Sequence, residues 1–151
     1  MLPLLLSLAL AADPADEARL LGTTTDDGSF THVLSIESLY YHADPRRSLA
    51  QIGRVLAPGG QFATAIELYG ENTGTHAWAD ELPCAVHIWD TEAWVDALLA
   101  AGLVDVRASR IVRDAEPGAE ADFTPSRWYP SYQAWVAYLR EGALQLTGRK
   151  P

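Results

Sequence analysis

Glu37, Tyr40, Tyr41 and His42 follow directly on the apolar run Val33-Leu34-Ser35-Ile36. A carboxylate can face a cation, an imidazole can take a proton near neutral pH, and phenol rings can wall a pocket for a small organic molecule. Ligands of open α/β sheets bind beyond the carboxyl ends of strands, which is where these four residues fall if the run is a strand. Glu67 repeats the arrangement after Gln61-Phe62-Ala63-Thr64-Ala65-Ile66. Each group also has a plainer reading. Glu37 could be a surface carboxylate closing a local turn, and the tyrosines could be core that covers a helix. His32, His42, His76 and His87 show no spacing that suits a metal site.

The surrounding sequence predicts the elements that would hold these groups. Thr23 to Ser29 is a polar turn cluster, and Thr31 to Ile36 reads as a strand. Asp44 before Pro45 is an N-cap followed by proline at the first helical position. Leu49, Ile52 and Leu56 then recur at helical spacing, so a helix is expected from about Pro45 to Leu56. Pro58-Gly59-Gly60 should stop it before the second strand, Gln61 to Ile66, giving a parallel strand-helix-strand unit. From Glu67 to His87 no period is sustained. Asp90 can cap a helix whose Trp94 staples onto Trp89, Gly102 ends it, and Leu103 to Val112 reads as a third strand. An acidic loop follows. Ser131 then opens a helix with Tyr132, Trp135, Val136 and Leu139, Gly142 closes it, and residues 143–151 form a terminal strand. The Trp128, Tyr129, Tyr132 and Trp135 set is most simply core packing.

Composition narrows the function classes. A chain of 151 residues, 48% hydrophobic and 21% charged, has the balance of an ordinary globular domain. Its net charge of −9, with eleven Lys and Arg spread along the chain, argues against nucleic acid, which needs clustered cations. A single cysteine, Cys84, suits a reducing, cytoplasmic setting and reads as a small core residue. The apolar opening, Met1 to Ala12, has no Lys or Arg and is shorter than a membrane span of roughly 20 residues. It is expected to be a buried helix or strand, with a signal peptide as the alternative, and residues 1–22 are set apart from 23–151 on that basis.

Four stretches in order carry a family resemblance: Asp27-Gly28-Ser29-Phe30, Val33-Leu34-Ser35, Leu49 to Gly60 ending Arg54-Val55-Leu56-Ala57-Pro58-Gly59-Gly60, and Ala100-Ala101-Gly102-Leu103. Together with Gly148-Arg149-Lys150-Pro151, the region from about Thr23 to Pro151 resembles a class I, Rossmann-like S-adenosylmethionine-dependent methyltransferase from its fourth strand onward. The resemblance implies an α/β fold: a partial methyltransferase sheet in the order four, five, seven, six, its terminal strand antiparallel, with helices flanking it. The glycine-x-glycine loop that approaches the cofactor in that family is not found in this sequence.

The resemblance also implies roles. S-adenosylmethionine would be the methyl donor, with Ser35 and Glu37 against it and Glu37 and His42 in catalytic positions. Tyr40, Tyr41, Glu67, Trp78 and His87 would surround a small-molecule acceptor, the last two from the segment that often closes over it. Trp89 is better explained by the helix staple, and His87 has a structural hydrogen bond as its plainer reading. The expected activity is methyl transfer to a small molecule, by a chain that is truncated and inactive alone. The alternative is a non-catalytic remnant or dimerisation module. The fourth strand is normally central, so its free edge would invite self-association or a partner chain unless the Leu-rich amino terminus covers it.

Overall fold

The computed structural model describes Leu4, Leu5 and residues 26–151. Strand β1 is Leu4–Leu5, β2 is Phe30–Ile36, helix α1 is Pro45–Val55 and β3 is Leu56–Ile66. After these come the short helix α2, Trp78–Glu81, then α3, Thr91–Ala100, β4, Val104–Ile111, α4, Tyr132–Glu141, and β5, Ala143–Arg149. Single 3-10 turns lie at Leu39–Tyr41, Thr73–Thr75 and Glu120–Asp122.

Short polar side chains start the three longer helices, because the first backbone N–H groups of a helix have no partner within it. Asp44 accepts from the Arg47 N–H at 3.1 Å, Asp90 from Ala93 at 2.8 Å and Ser131 from Ala134 at 3.1 Å. Helix α4 stops at Gly142, whose φ of +65° suits glycine. The Trp89 and Trp94 rings meet at 4.6 Å across the start of α3, the staple that the sequence predicts.

The strands form one sheet in the order β1-β2-β3-β5-β4. Strands β1, β2 and β3 are parallel, and β5 runs antiparallel to both β3 and β4, as the resemblance implies. Side chains alternate across a strand, so Val33, Phe62, Ile66, Leu144 and Leu146 share one buried face. Leu49, Ile52 and Val55 of α1 and Trp94, Ala97 and Leu98 of α3 join them in the core. The opposite face carries Leu34, Ala63 and Thr147 on the floor of a hollow of about 820 Å³.

One expectation changes. Pro58-Gly59-Gly60 does not separate helix from strand: α1 ends at Val55 and β3 begins at Leu56. The register jumps instead, with Phe30 opposite Leu56 but His32 opposite Gln61, so Ala57 to Gly60 bulge out of the ladder. A Cβ on Gly60 would stand 2.8 Å from the Ala57 carbonyl oxygen, and the Gly60 carbonyl accepts from Lys150 N–H at 2.8 Å. The fourth-strand equivalent, β2, is covered along its middle by the amino terminus, the cover that the sequence offers: Leu4 and Leu5 pair with Val33 and Leu34. The amino-terminal call otherwise lies outside the described residues.

Candidate functional site

The carboxyl ends of β2 and β3 lie side by side, and each leads into a glutamate. Glu37 leaves β2 with φ of +50°, a left-handed conformation rarely found outside glycine, asparagine and aspartate. Its N–H still donates to the Ala65 carbonyl at 2.9 Å, so the turn is anchored on β3. The chain then coils through the 3-10 turn Leu39–Tyr41, which points Tyr40 back at Glu37. The Tyr40 hydroxyl donates to Glu37 Oε2 at 2.7 Å. Glu37 Oε1 is buried and has no hydrogen-bond partner among the described residues. Leaving such an acceptor unsatisfied costs about 1–3 kcal/mol, more for a charged group.

Burial is the main reason the Glu37 carboxyl is pushed up to about 7, and the nearby Glu67 charge adds to it. The Tyr40 hydrogen bond and the Glu67 backbone act in the opposite direction. A carboxyl that titrates near neutrality can exchange a proton with a ligand, which an ordinary surface glutamate does poorly. Burial and the adjacent Glu37 charge hold the Tyr40 hydroxyl protonated. The Tyr40 and Tyr41 rings lie 4.4 Å apart, and the Tyr40 carbonyl accepts from the His87 N–H at 2.9 Å.

Glu67 is fixed differently. Its Oε1 accepts from the Tyr138 hydroxyl of α4 at 3.0 Å and from Arg113 Nη2 at 2.9 Å. Its carbonyl accepts from Asn72 Nδ2 at 3.0 Å and from Thr75 Oγ1 at 3.1 Å, which ties down the turn beyond β3. Gly74 lets that turn touch α4: a Cβ there would lie 2.3 Å from the Ala134 carbonyl oxygen and 2.4 Å from the Tyr138 nitrogen. Trp78 continues the wall. Its Nε1 donates to the Trp128 carbonyl at 2.9 Å, and its ring lies 6.0 Å from Tyr129 and 5.8 Å from Tyr138. Burial and the Glu67 charge hold the Tyr138 hydroxyl protonated as well.

The fold therefore brings together Glu37, Tyr40, Tyr41 and Glu67, with Trp78 joined to Glu67 through Tyr138. Other candidates sit in structural settings. His42 is buried with Nδ1 2.7 Å from Ser48 Oγ, and Ser48 Oγ in turn donates to the Asp44 carbonyl at 3.2 Å. That order makes Nδ1–H the donor and places the ring beside the first turns of α1. Ser35 and Ser38 hydroxyls pair with each other at 2.7 Å in a buried position. The His87 ring packs against Trp89 at 5.7 Å, and its backbone braces the Tyr40 turn. Tyr138 and Arg113 are absent from the sequence-based candidates. Tyr138 lies three residues after Trp135 on the ring-bearing face of α4, and that spacing was the available signal.

Among the described residues no cluster of His, Cys, Asp and Glu could hold a metal ion. No helix among them is long and apolar enough to cross a membrane.

Known proteins share this fold. A family model described as a methyltransferase domain matches residues 9–64. A methyltransferase of Haloferax volcanii, solved in complex with the Trm112 methyltransferase activator, is 33% identical with a TM-score of 0.77. The match covers 87% of this chain and 58% of that one. The chain has the class I methyltransferase fold. Two further structures share that fold at lower identity. An S-adenosylmethionine-dependent methyltransferase of Mesorhizobium loti is 15% identical with a TM-score of 0.61, covering 87% of this chain and 66% of that one. A possible histamine N-methyltransferase of Thermotoga maritima is 18% identical with a TM-score of 0.59, covering 86% and 60%. The chain thus spans about three fifths of the length of these methyltransferases. No curated protein matches the sequence.

The residues present fit one end of the methyl donor. Glu37 Oε1, an orphaned acceptor at a strand end, suits a cationic group. Nothing in the sequence matches the glycine-x-glycine loop of this fold.

Proposed function

We propose that this chain supplies the acceptor side of a methyltransferase that uses S-adenosylmethionine to methylate a small molecule. The observation that carries the reading is Glu37: a left-handed residue at the carboxyl end of β2, with a buried carboxyl oxygen that has no hydrogen-bond partner among the described residues. Such strain is kept where the surrounding structure imposes it, commonly at functional sites. Glu37 and Tyr40 would act on the reacting groups. Tyr41, Glu67 and Trp78 would shape the acceptor side, and His42, Ser35 and His87 would support the turn that holds Glu37. The donor supplies an electrophilic methyl group, so the protein's share is positioning and electrostatics.

The Haloferax relative was solved with an activator protein. By the same likeness, a partner chain is proposed here. Calorimetry with S-adenosylhomocysteine tests the reading: binding at micromolar concentration by the chain, or by the chain with its partner, is the expected result. No heat under either condition would leave the non-catalytic alternative.

A further inference from the structure

We propose that the Glu37–Glu67 pair receives the ammonium group of an amine acceptor, with Glu37 Oε1 taking a proton from its nitrogen. This rests on the site assigned above and goes further by naming the ligand's chemical class.

Three observations converge. Two carboxylates stand at neighbouring strand ends and interact electrostatically. They are held unequally, for Glu67 Oε1 already accepts from Tyr138 and a cation, Arg113, while the Glu37 carboxyl has only neutral donors, the Tyr40 phenol and the Glu67 backbone. Glu37 Oε1 is buried and unpartnered, so this end of the pair has a vacant acceptor and no cation among the described residues. A donor that is itself positive satisfies both deficits, and a charge-assisted hydrogen bond is roughly twice as strong as a neutral one. The Tyr40 phenol stands on the same carboxylate with the Tyr41 ring 4.4 Å from its own, and aromatic faces attract alkylammonium groups.

The chemistry is a proton transfer. One ammonium N–H bond breaks, an O–H bond forms on Glu37 Oε1, and the electron pair stays on nitrogen, leaving it nucleophilic. Glu37 is suited to this because burial has already moved its proton affinity toward neutrality. The groups facing it are Tyr40 from its own turn, with Tyr41 behind that ring, and Glu67 from the end of β3. Arg113 and Tyr138 stand behind Glu67.

The test is a nitrogen-15 NMR titration of the chain with n-butylamine and, separately, n-butanol. The amine should shift the amides of Glu37, Tyr40 and Glu67, and butanol should not. Alkylammonium stays protonated between pH 6 and 8, so amine affinity should be about tenfold weaker at pH 6, where Glu37 is mostly neutral. Glu37→Gln should lose the shifts while keeping a dispersed spectrum, and if it does not fold, the wild-type pH dependence decides alone. Equal response to butanol, or amine binding that ignores pH, overturns the proposal. S-adenosylmethionine and its neutral product, titrated separately, distinguish the other cation. If Glu37→Gln abolishes a preference for the sulfonium form and butylamine does not bind, the carboxylate faces the donor and the amine reading falls. If neither nucleoside binds, to the chain alone or with its partner, while butylamine does, the methyltransferase reading fails and the amine site stands.

Discussion

Tyr40 and Glu37 are joined at 2.7 Å across the turn that leaves β2, and the other oxygen of the same carboxylate is buried with no hydrogen-bond partner among the described residues. One half of the group is held in the geometry of an anion while the other half is denied what an anion needs. That imbalance makes the residue's cost to folding depend on pH.

The Glu37 carboxyl is raised from 4.5 to about 7, so the folded chain binds this proton more tightly than the unfolded one. Its contribution is therefore complete below pH 4.5 and is lost as pH rises through 7. The difference corresponds to up to about 3 kcal/mol. Glu37→Gln should remove that loss. Urea unfolding of the variant should show higher stability than the wild type at pH 8 and little difference at pH 4. A variant weaker than the wild type at both values would mean that the ionised carboxylate is stabilised by something the fold supplies.

The anchoring of Glu67 predicts an order of effects. Tyr138→Phe deletes a donor to a carboxylate from a buried ring and should cost about 1.5–3 kcal/mol. Arg113→Ala removes a cation whose side chain is 61% exposed, and an exposed pair contributes at most about 1 kcal/mol. Denaturant midpoints of the two variants check the order. Equal losses would show that Arg113 holds Glu67 as firmly as Tyr138 does, and the order would fall.

Much of this was legible in the residues. Asp44-Pro45, Asp90 with the Trp89 and Trp94 staple, and Ser131 with Gly142 mark helix ends through local chemistry, and each works as its spacing predicts. The sheet order followed from the family resemblance. Pro58-Gly59-Gly60 misled because a turn signal cannot tell a chain break from a bulge; the outcome depends on Phe30 and Lys150, far away in sequence. Glu37 and Tyr40 could be paired in advance, being three residues apart. His42 could not be separated from them, because its bond to Ser48 forms only once α1 is in place. Tyr138 was invisible as a partner of Glu67, since 71 residues separate them.

Gly74 is the point at which the turn after β3 meets α4. Gly74→Ala would drive a Cβ into the backbone at Ala134 and Tyr138, and backbone cannot move aside as a side chain tip can. Overpacking of this kind costs about 1–3 kcal/mol or more. Because Tyr138 must also shift, the variant should lose the Tyr138 to Glu67 bond. In a double-mutant cycle, Tyr138→Phe should then cost clearly less in the Gly74→Ala background than in the wild type. Additive losses would mean that α4 absorbs the methyl group without moving Tyr138.

Trp78 fastens the segment before α4 through one hydrogen bond and three ring contacts. Trp78→Phe keeps an aromatic ring and removes the Nε1 donor to the Trp128 carbonyl, a loss of about 1 kcal/mol. The effect should be local, because the bond ties down a loop rather than the sheet. Opening of that loop should become about fivefold more populated, and tryptic cleavage after Arg127 should speed up in proportion when opening is fast relative to cleavage. Cleavage after Arg54, which lies on α1, should not change at the same protease concentration. Parallel acceleration at both sites would show that Trp78 supports global stability instead, and the wall beside Glu67 would then be part of the core rather than a separable flap.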